Sequence, residues 1–229
     1  MHFNAIVQSL PAKAASELGG VTRFPGRRGQ ILQAAGHKVE QVYFPLGGMV
    51  SLVTLTAAGD QVESAIVGKE GIVSSDAALS SKPSFVQAIV QVDGEFLSLA
   101  AKDFRALCER HEELRAVCIR YQAYVTIQAH QSATCQALHS LEQRLARWLL
   151  QAQDMVDLAK IPLTQEFLGH MLGVQRPTVS IAARALVREG AIEYSRGSVT
   201  VLDRRKLTKR SCECYSVLRR EMKIYLTDG

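Results

Sequence analysis

The chain has 229 residues, 47% of them hydrophobic, which is enough for one large or two ordinary domains and is not the composition of a disordered segment. Its apolar runs fall short of the roughly 18 residues needed to cross a bilayer, and Met1 to Leu10 lacks the basic start and apolar stretch of a signal peptide, so a cytoplasmic protein without membrane contact is expected. Net charge is +5: residues 1–139 hold 12 Lys+Arg against 12 Asp+Glu and residues 140–229 hold 15 against 10, so the whole excess lies in the last part, as a polyanion-binding segment requires.

From about Val21 to Leu99, short Val-, Ile-, Phe- and Tyr-containing runs such as QVYFP, MVSLVTLT and FVQAIVQ alternate with Gly-Asp, Gly-Gly and Asp-Gly punctuation. That spacing predicts a small antiparallel β-roll. From Lys102 to Gln153 there is no Pro or Gly. Leu114, Cys118, Tyr121, Val125, Gln128, Ser132 and Cys135 step by four and three in turn, which is a heptad seam. It reads as a dimerisation helix over about 103–138, the alternative being a helix lying on the β-roll; Gln128 and Ser132 favour the dimer, since they suit a helix–helix seam better than a dry core.

A hinge near His139-Ser140 divides the chain into 1–139 and 140–229. Leu141, Leu145, Trp148 and Leu149 then predict an amphipathic helix. In the stretch LTQEFLGHMLGVQRPTVSIAARALVREGAI, Thr164 caps a helix with Phe167, Leu168, Met171 and Leu172 on one face, Gly173 stops it, and Pro177 opens a second helix with Val179, Ala182, Ala183 and Leu186 buried. Gly169 supplies the small residue that a steep crossing needs. Ala191 to Leu202 reads as two strands turning at Arg196-Gly197, so the whole is a winged helix-turn-helix.

Arg176, Ser180 and Arg184 recur every fourth residue opposite the buried stripe. Gln175, Arg176, Thr178 and Ser180 are donors at the start of that helix, with Arg176 suited to a guanine edge through its planar guanidinium. Thr164, Gln165, Arg196 and Ser198 are placed to hold the phosphate backbone. The tail from Arg204 to Tyr225 carries eight basic residues and a face of Leu207, Cys214, Leu218, Met222 and Tyr225, which predicts an additional helix on the winged domain or its partner.

The order of β-roll, seam helix and winged helix resembles the cyclic-AMP receptor and fumarate-nitrate-reduction regulator (Crp/Fnr) family of bacterial transcription regulators. LTQEFLGHMLGVQRPTVS is similar to its helix-turn-helix and IEYSRGSVTVLD to its wing. The resemblance implies an α+β fold with a cyclic-nucleotide-binding-like jelly roll, a homodimer on a two-fold symmetric double-stranded operator, and contact with RNA polymerase. It also implies an effector pocket in the stretch carrying Gly68 and Glu70. There Lys82 and Pro83 stand where the family's cyclic-AMP binders have Arg and Ser; Lys cannot grip a phosphate bidentately and Pro has no donor, which argues against cyclic AMP and leaves another anionic ligand at Lys82.

Pro177 and Ile181 likewise stand where relatives use Glu and Arg, so the family's best-known half-site does not transfer. No cysteine precedes Cys108, so no iron–sulfur cofactor is expected. Cys212-Glu213-Cys214 lacks the spacing of a zinc site, and the histidines show no metal spacing, so neither is expected to hold a metal. No nucleophile–base pair or phosphate-cradling loop suggests an enzyme. The competing reading is a ligand- or protein-binding module that uses its winged helix for protein contacts.

Overall fold

The computed structural model describes residues 4–18, 20–156, 158–195 and 197–227. Two short helices, α1 (Ala5–Ser9) and α2 (Ala12–Ser16), precede seven strands: β1 (Thr22–Gly26), β2 (Ile31–Gln33), β3 (Gln41–Pro45), β4 (Met49–Leu55), β5 (Gln61–Val67), β6 (Gln87–Val92) and β7 (Gly94–Ala100), with α3 (Ser75–Ser80) between β5 and β6. The strands form a β1-β7-β3 sheet and a β2-β6-β4-β5 sheet, all pairs antiparallel. Side chains alternate across a strand, so in β3 Val42 and Phe44 are buried while Gln41 and Tyr43 are half-buried. Val42, Phe44, Val50, Val67, Val90 and Phe96 belong to one core, and the expected β-roll is present.

Three helices follow: α4 (Ala101–Arg110), α5 (Glu112–Leu138) and α6 (Leu141–Val156). Extended backbone at His111 and His139 separates them. Gly71 lets α5 settle on the roll, because a Cβ there would lie 2.0 Å from the Tyr121 hydroxyl oxygen.

The expected dimer seam requires correction. Leu114, Cys118, Tyr121, Gln128 and Cys135 are buried and Val125 and Ser132 half-buried within the chain itself. The polar residue that argued for a partner helix explains why. Gln128 Oε1 accepts from Ile66 N (3.2 Å) and its Nε2 donates to Ile66 O (3.1 Å), satisfying the backbone of β5, the strand at the edge of its sheet. The exposed side of α5 is a different stripe, running through Ile119, Ala123, Thr126, His130, Ala133 and Ala137.

The C-terminal part comprises β8 (Lys160–Ile161), α7 (Gln165–Leu172), α8 (Arg176–Arg188), β9 (Ile192–Ser195), β10 (Ser198–Val201), α9 (Arg204–Arg210) and α10 (Cys214–Thr227). Its sheet has the order β8-β10-β9. The tail face is buried at Leu207, Cys214, Leu218 and Tyr225 and half-buried at Met222, and its first part packs on the winged domain as expected, Leu207 and Tyr215 joining that core. Helix α10 starts against α6, lies along α5 and ends on the roll, where the Tyr225 hydroxyl donates to Glu70 O (3.1 Å) and the ring stacks on Tyr124. A second bridge joins the two parts: Trp148 Nε1 on α6 donates to Glu63 Oε1 on β5 (2.5 Å).

Candidate nucleic-acid interface

Thr164 caps α7 by accepting the Phe167 N–H on Oγ1 (3.2 Å). Gly173 ends the helix at φ 64°, a left-handed conformation that costs other residues more. A Cβ on Gly169 would lie 2.8 Å from the Val174 carbonyl oxygen, so only glycine allows this turn to close so tightly. Pro177 sits in the first turn of α8, whose buried stripe is Val179, Ala182, Ala183 and Leu186.

The opposite side of α8 exposes Gln175, Arg176, Thr178 and Arg184, together with Ile181, which is 62% exposed. Donors and an apolar group at the start of an exposed helix match what a DNA major groove presents: acceptor edges and thymine methyls. Ser180 is half-buried and its hydroxyl donates to Gln165 Oε1 (2.7 Å), so these two side chains tie α8 to α7. An open notch of about 380 Å³ gathers Thr164, Gln165 and Arg176 against Tyr194 and Ser195 of the wing.

Two wing residues stand differently. Ser198, expected to hold the DNA backbone, is buried, and its hydroxyl closes the hairpin on the Ser195 hydroxyl (2.6 Å); that expectation is corrected. Arg196 lies outside the described residues. Sequence reasoning missed Tyr194, whose buried hydroxyl has no hydrogen-bond partner among the described residues. Burial pushes its pKa up, against the pull of the nearby Arg176 charge. Its alternation in β9 marked it only as a strand residue.

The basic tail is divided by its contacts. Arg210 pairs with Glu189, and Arg204 with Asp154 and the Tyr215 hydroxyl, so both serve the fold. Arg205, Lys206 and Lys209 are exposed.

On the roll, Glu70 is buried and Gly68 N donates to its Oε1 (2.7 Å); burial raises its pKa. Lys82 is exposed and lies on the surface, whereas Glu70 sits beneath the end of α10. A separate open groove of about 720 Å³ runs between α3, α4 and α5, lined among others by Ser75, Asp76, Arg105, Arg115 and Gln122. Ser74 (φ 68°) and Ser81 (φ 55°) flank α3 in left-handed conformations unusual for serine.

Residues 26–111 match the cyclic nucleotide-binding domain family, and residues 143–210 match the Crp-like helix-turn-helix domain family. No curated protein matches the sequence. Among solved structures, FixK2 from Bradyrhizobium japonicum is 18% identical with a TM-score of 0.71, covering 84% of this chain and 98% of its own. The c-di-GMP-responsive global regulator CLP from Xanthomonas campestris is 12% identical with a TM-score of 0.69, covering 83% and 99%. A Crp/Fnr-family transcriptional regulator from Thermus thermophilus is 20% identical with a TM-score of 0.68, covering 83% and 98%. These likenesses show the fold, and regulators of this kind bind DNA through the helix-turn-helix and are typically dimers. Among the described residues no helix is long and apolar enough to cross a membrane. With a cyclic nucleotide-binding domain joined to a Crp-like helix-turn-helix, the chain belongs to the Crp/Fnr family and is a DNA-binding transcription regulator.

Proposed function

We propose that the protein acts in the cytoplasm as a homodimer that reads a two-fold symmetric operator and affects transcription through RNA polymerase. The observation that carries this reading is the exposed face of α8, where Gln175, Arg176, Thr178 and Arg184 stand free of the winged domain's core. Arg176 contacts a base, Thr178 and Arg184 support it, and the Thr164–Gln165 end of α7 holds a phosphate. The dimer forms along the exposed stripe of α5 through Ile119, Ala123 and Thr126. Two copies related by that axis carry recognition helices to sites about 34 Å apart, one turn of DNA.

The effector is an anion other than cyclic AMP, held in the groove between α3, α4 and α5. Arg105 and Arg115 line this groove, and the backbone strain at Ser74 and Ser81 flanks it. Lys82 and Pro83, at the positions where a phosphate grip was expected, are both exposed. CLP has this fold and responds to c-di-GMP, so the fold does not restrict the ligand to cyclic AMP.

Selection from randomised duplex DNA at physiological salt tests the reading and is expected to recover an inverted repeat. Arg176→Ala is expected to weaken operator binding by about 1–3 kcal/mol while leaving the melting temperature unchanged. Operator affinity unchanged in Arg176→Ala, or no repeat recovered from the parent chain under any ligand tested, would overturn it.

A further inference from the structure

The two halves of one cluster lie far apart in the sequence. Cys135 is near the end of α5 and His139 just beyond it, a Cys-x₃-His spacing that brings both to one side of the helix end. Cys212 and Cys214 enter from the loop before α10 and from its first residue, with the whole winged domain between the two pairs. The fold brings one donor atom from each of the four to within 4.8 Å of the others. We propose that Cys135, His139, Cys212 and Cys214 form a closed, four-coordinate site for a zinc ion.

The distances suit this ion. Three sulfurs and one nitrogen around zinc, at bond lengths of about 2.3 and 2.1 Å, define a tetrahedron with edges of about 3.8 Å between sulfurs and 3.6 Å between sulfur and nitrogen. Cys135 Sγ lies 3.6 Å from Cys212 Sγ, and Cys214 Sγ lies 3.4 Å from His139 Nδ1. The thiols are buried and the imidazole is half-buried, which gives the enclosed character of a structural site and leaves no position open for substrate water.

The surrounding groups also fit. His139 turns Nδ1 towards the sulfurs while its Nε2 lies 3.2 Å from Glu213 Oε1, the carboxylate–histidine arrangement that fixes the tautomer of a metal-binding imidazole. Gln131 Nε2 donates to Cys214 Sγ (3.0 Å), as expected around a thiolate. Three thiolates and a neutral imidazole around a divalent cation leave one negative charge, and Arg144 and Arg147 of α6 both interact electrostatically with Cys135. Such an ion would fasten the C-terminal end of α5 to the start of α10, holding both ends of the winged domain to the helix that carries it.

The test uses the full-length chain purified under reducing conditions, with metal measured by mass spectrometry and Co²⁺ added to chelator-treated protein as a spectroscopic probe. The expected result is about one zinc per chain and a tetrahedral Co²⁺–thiolate spectrum. Cys214→Ser and His139→Gln are expected to lose both, His139→Cys to regain them as a four-cysteine site, and Cys108→Ser, which lies outside the cluster, to retain them. Glu213→Gln, which leaves all four ligands in place, is expected to weaken zinc affinity about tenfold, the low end for an outer-shell partner because Glu213 is exposed. Reduced protein without zinc that fails to give the Co²⁺ spectrum overturns the proposal, as does a metal retained by every variant or a Cys135–Cys212 disulfide in the reduced preparation. None of these readouts depends on DNA binding.

Discussion

Glu63 is one of the residues at which the two parts of the chain are chemically joined. It is buried, accepts from Trp148 Nε1 at 2.5 Å and from the Ser51 hydroxyl, and burial raises its pKa to about 7 despite those two donors and the Arg147 charge. The unfolded chain releases this proton near pH 4.5 and the folded chain near pH 7, so between those values the folded state binds more protons. Stability contributed by the neutral acid is therefore complete below about pH 4.5, declines as pH rises, and is lost above about pH 7. Glutamine reproduces the neutral acid: its oxygen accepts from Trp148 and its amide meets the Ser51 hydroxyl. Glu63→Gln is expected to be close to parent stability at pH 5 and more stable at pH 8, by at most about 3 kcal/mol for a shift of this size. Glu70, whose pKa burial also raises, keeps part of the slope in the variant. Urea melts at the two pH values decide the matter, and a variant less stable than its parent at pH 8 would show that the charged form is the one favoured in the fold.

At the scale of the element, α5 shows what a periodic pattern contains and what it omits. The four-three spacing from Leu114 to Cys135 identified a buried face correctly, because helical periodicity is local geometry. It could not say what covers that face. The partner turned out to be a strand edge 62 residues away in sequence at Ile66, where the Gln128 amide replaces a missing strand. The dimer proposed above uses the outward stripe instead, in which Ile119 is 58% exposed. In a two-fold interface each such residue meets the same patch of its partner. Ile119→Arg places two new charges there beside Arg115, one turn away, and is expected to weaken the dimer roughly a hundredfold while the monomer stays folded. Sedimentation across a dilution series measures this, and an unchanged dimer would exclude the stripe. The β-roll and helix-turn-helix were legible for the same reason that the seam was not: Gly169, Gly173, Thr164 and Pro177 act on backbone within a few residues of themselves. Ser198 was misplaced because strand alternation depends on register, and a one-residue step decides whether a wing hydroxyl faces solvent or its own hairpin. Cys135 and His139 carried a helical spacing, but their companions Cys212 and Cys214 lie beyond the winged domain and are brought near only by the return of α10.

At the scale of the molecule, the reader is not tethered to the sensor by a hinge alone. The core of the winged domain includes Met49, Val53, Ile66 and Val92 from the roll, α7 packs near β5, and α10 returns to the roll through Tyr225. Any effector that shifts α5 therefore acts on α8 through packed contacts, and can change DNA affinity only by as much as it distinguishes the two arrangements. The α10 contact can be cut at its roll end, where Tyr225 joins the core of the roll, without touching the core of the winged domain. Tyr225 stacks on Tyr124 with ring centroids 5.9 Å apart, tilts against Tyr121 and donates to Glu70 O, and among the described residues no hydrogen bond or ring contact joins it to α7, α8 or the wing. Tyr225→Ala removes a buried aromatic ring and is expected to cost about 3 kcal/mol, whereas Tyr225→Phe loses only the hydroxyl and costs about 1 kcal/mol. If α10 is a principal link between the halves, calorimetry of the parent shows one cooperative transition, and Tyr225→Ala separates it into two, the winged domain keeping its own melting temperature. A single transition displaced downward in Tyr225→Ala would mean that Trp148–Glu63 and the α7–β5 contact suffice to keep the molecule cooperative, and would move the path between effector and DNA from the tail to β5.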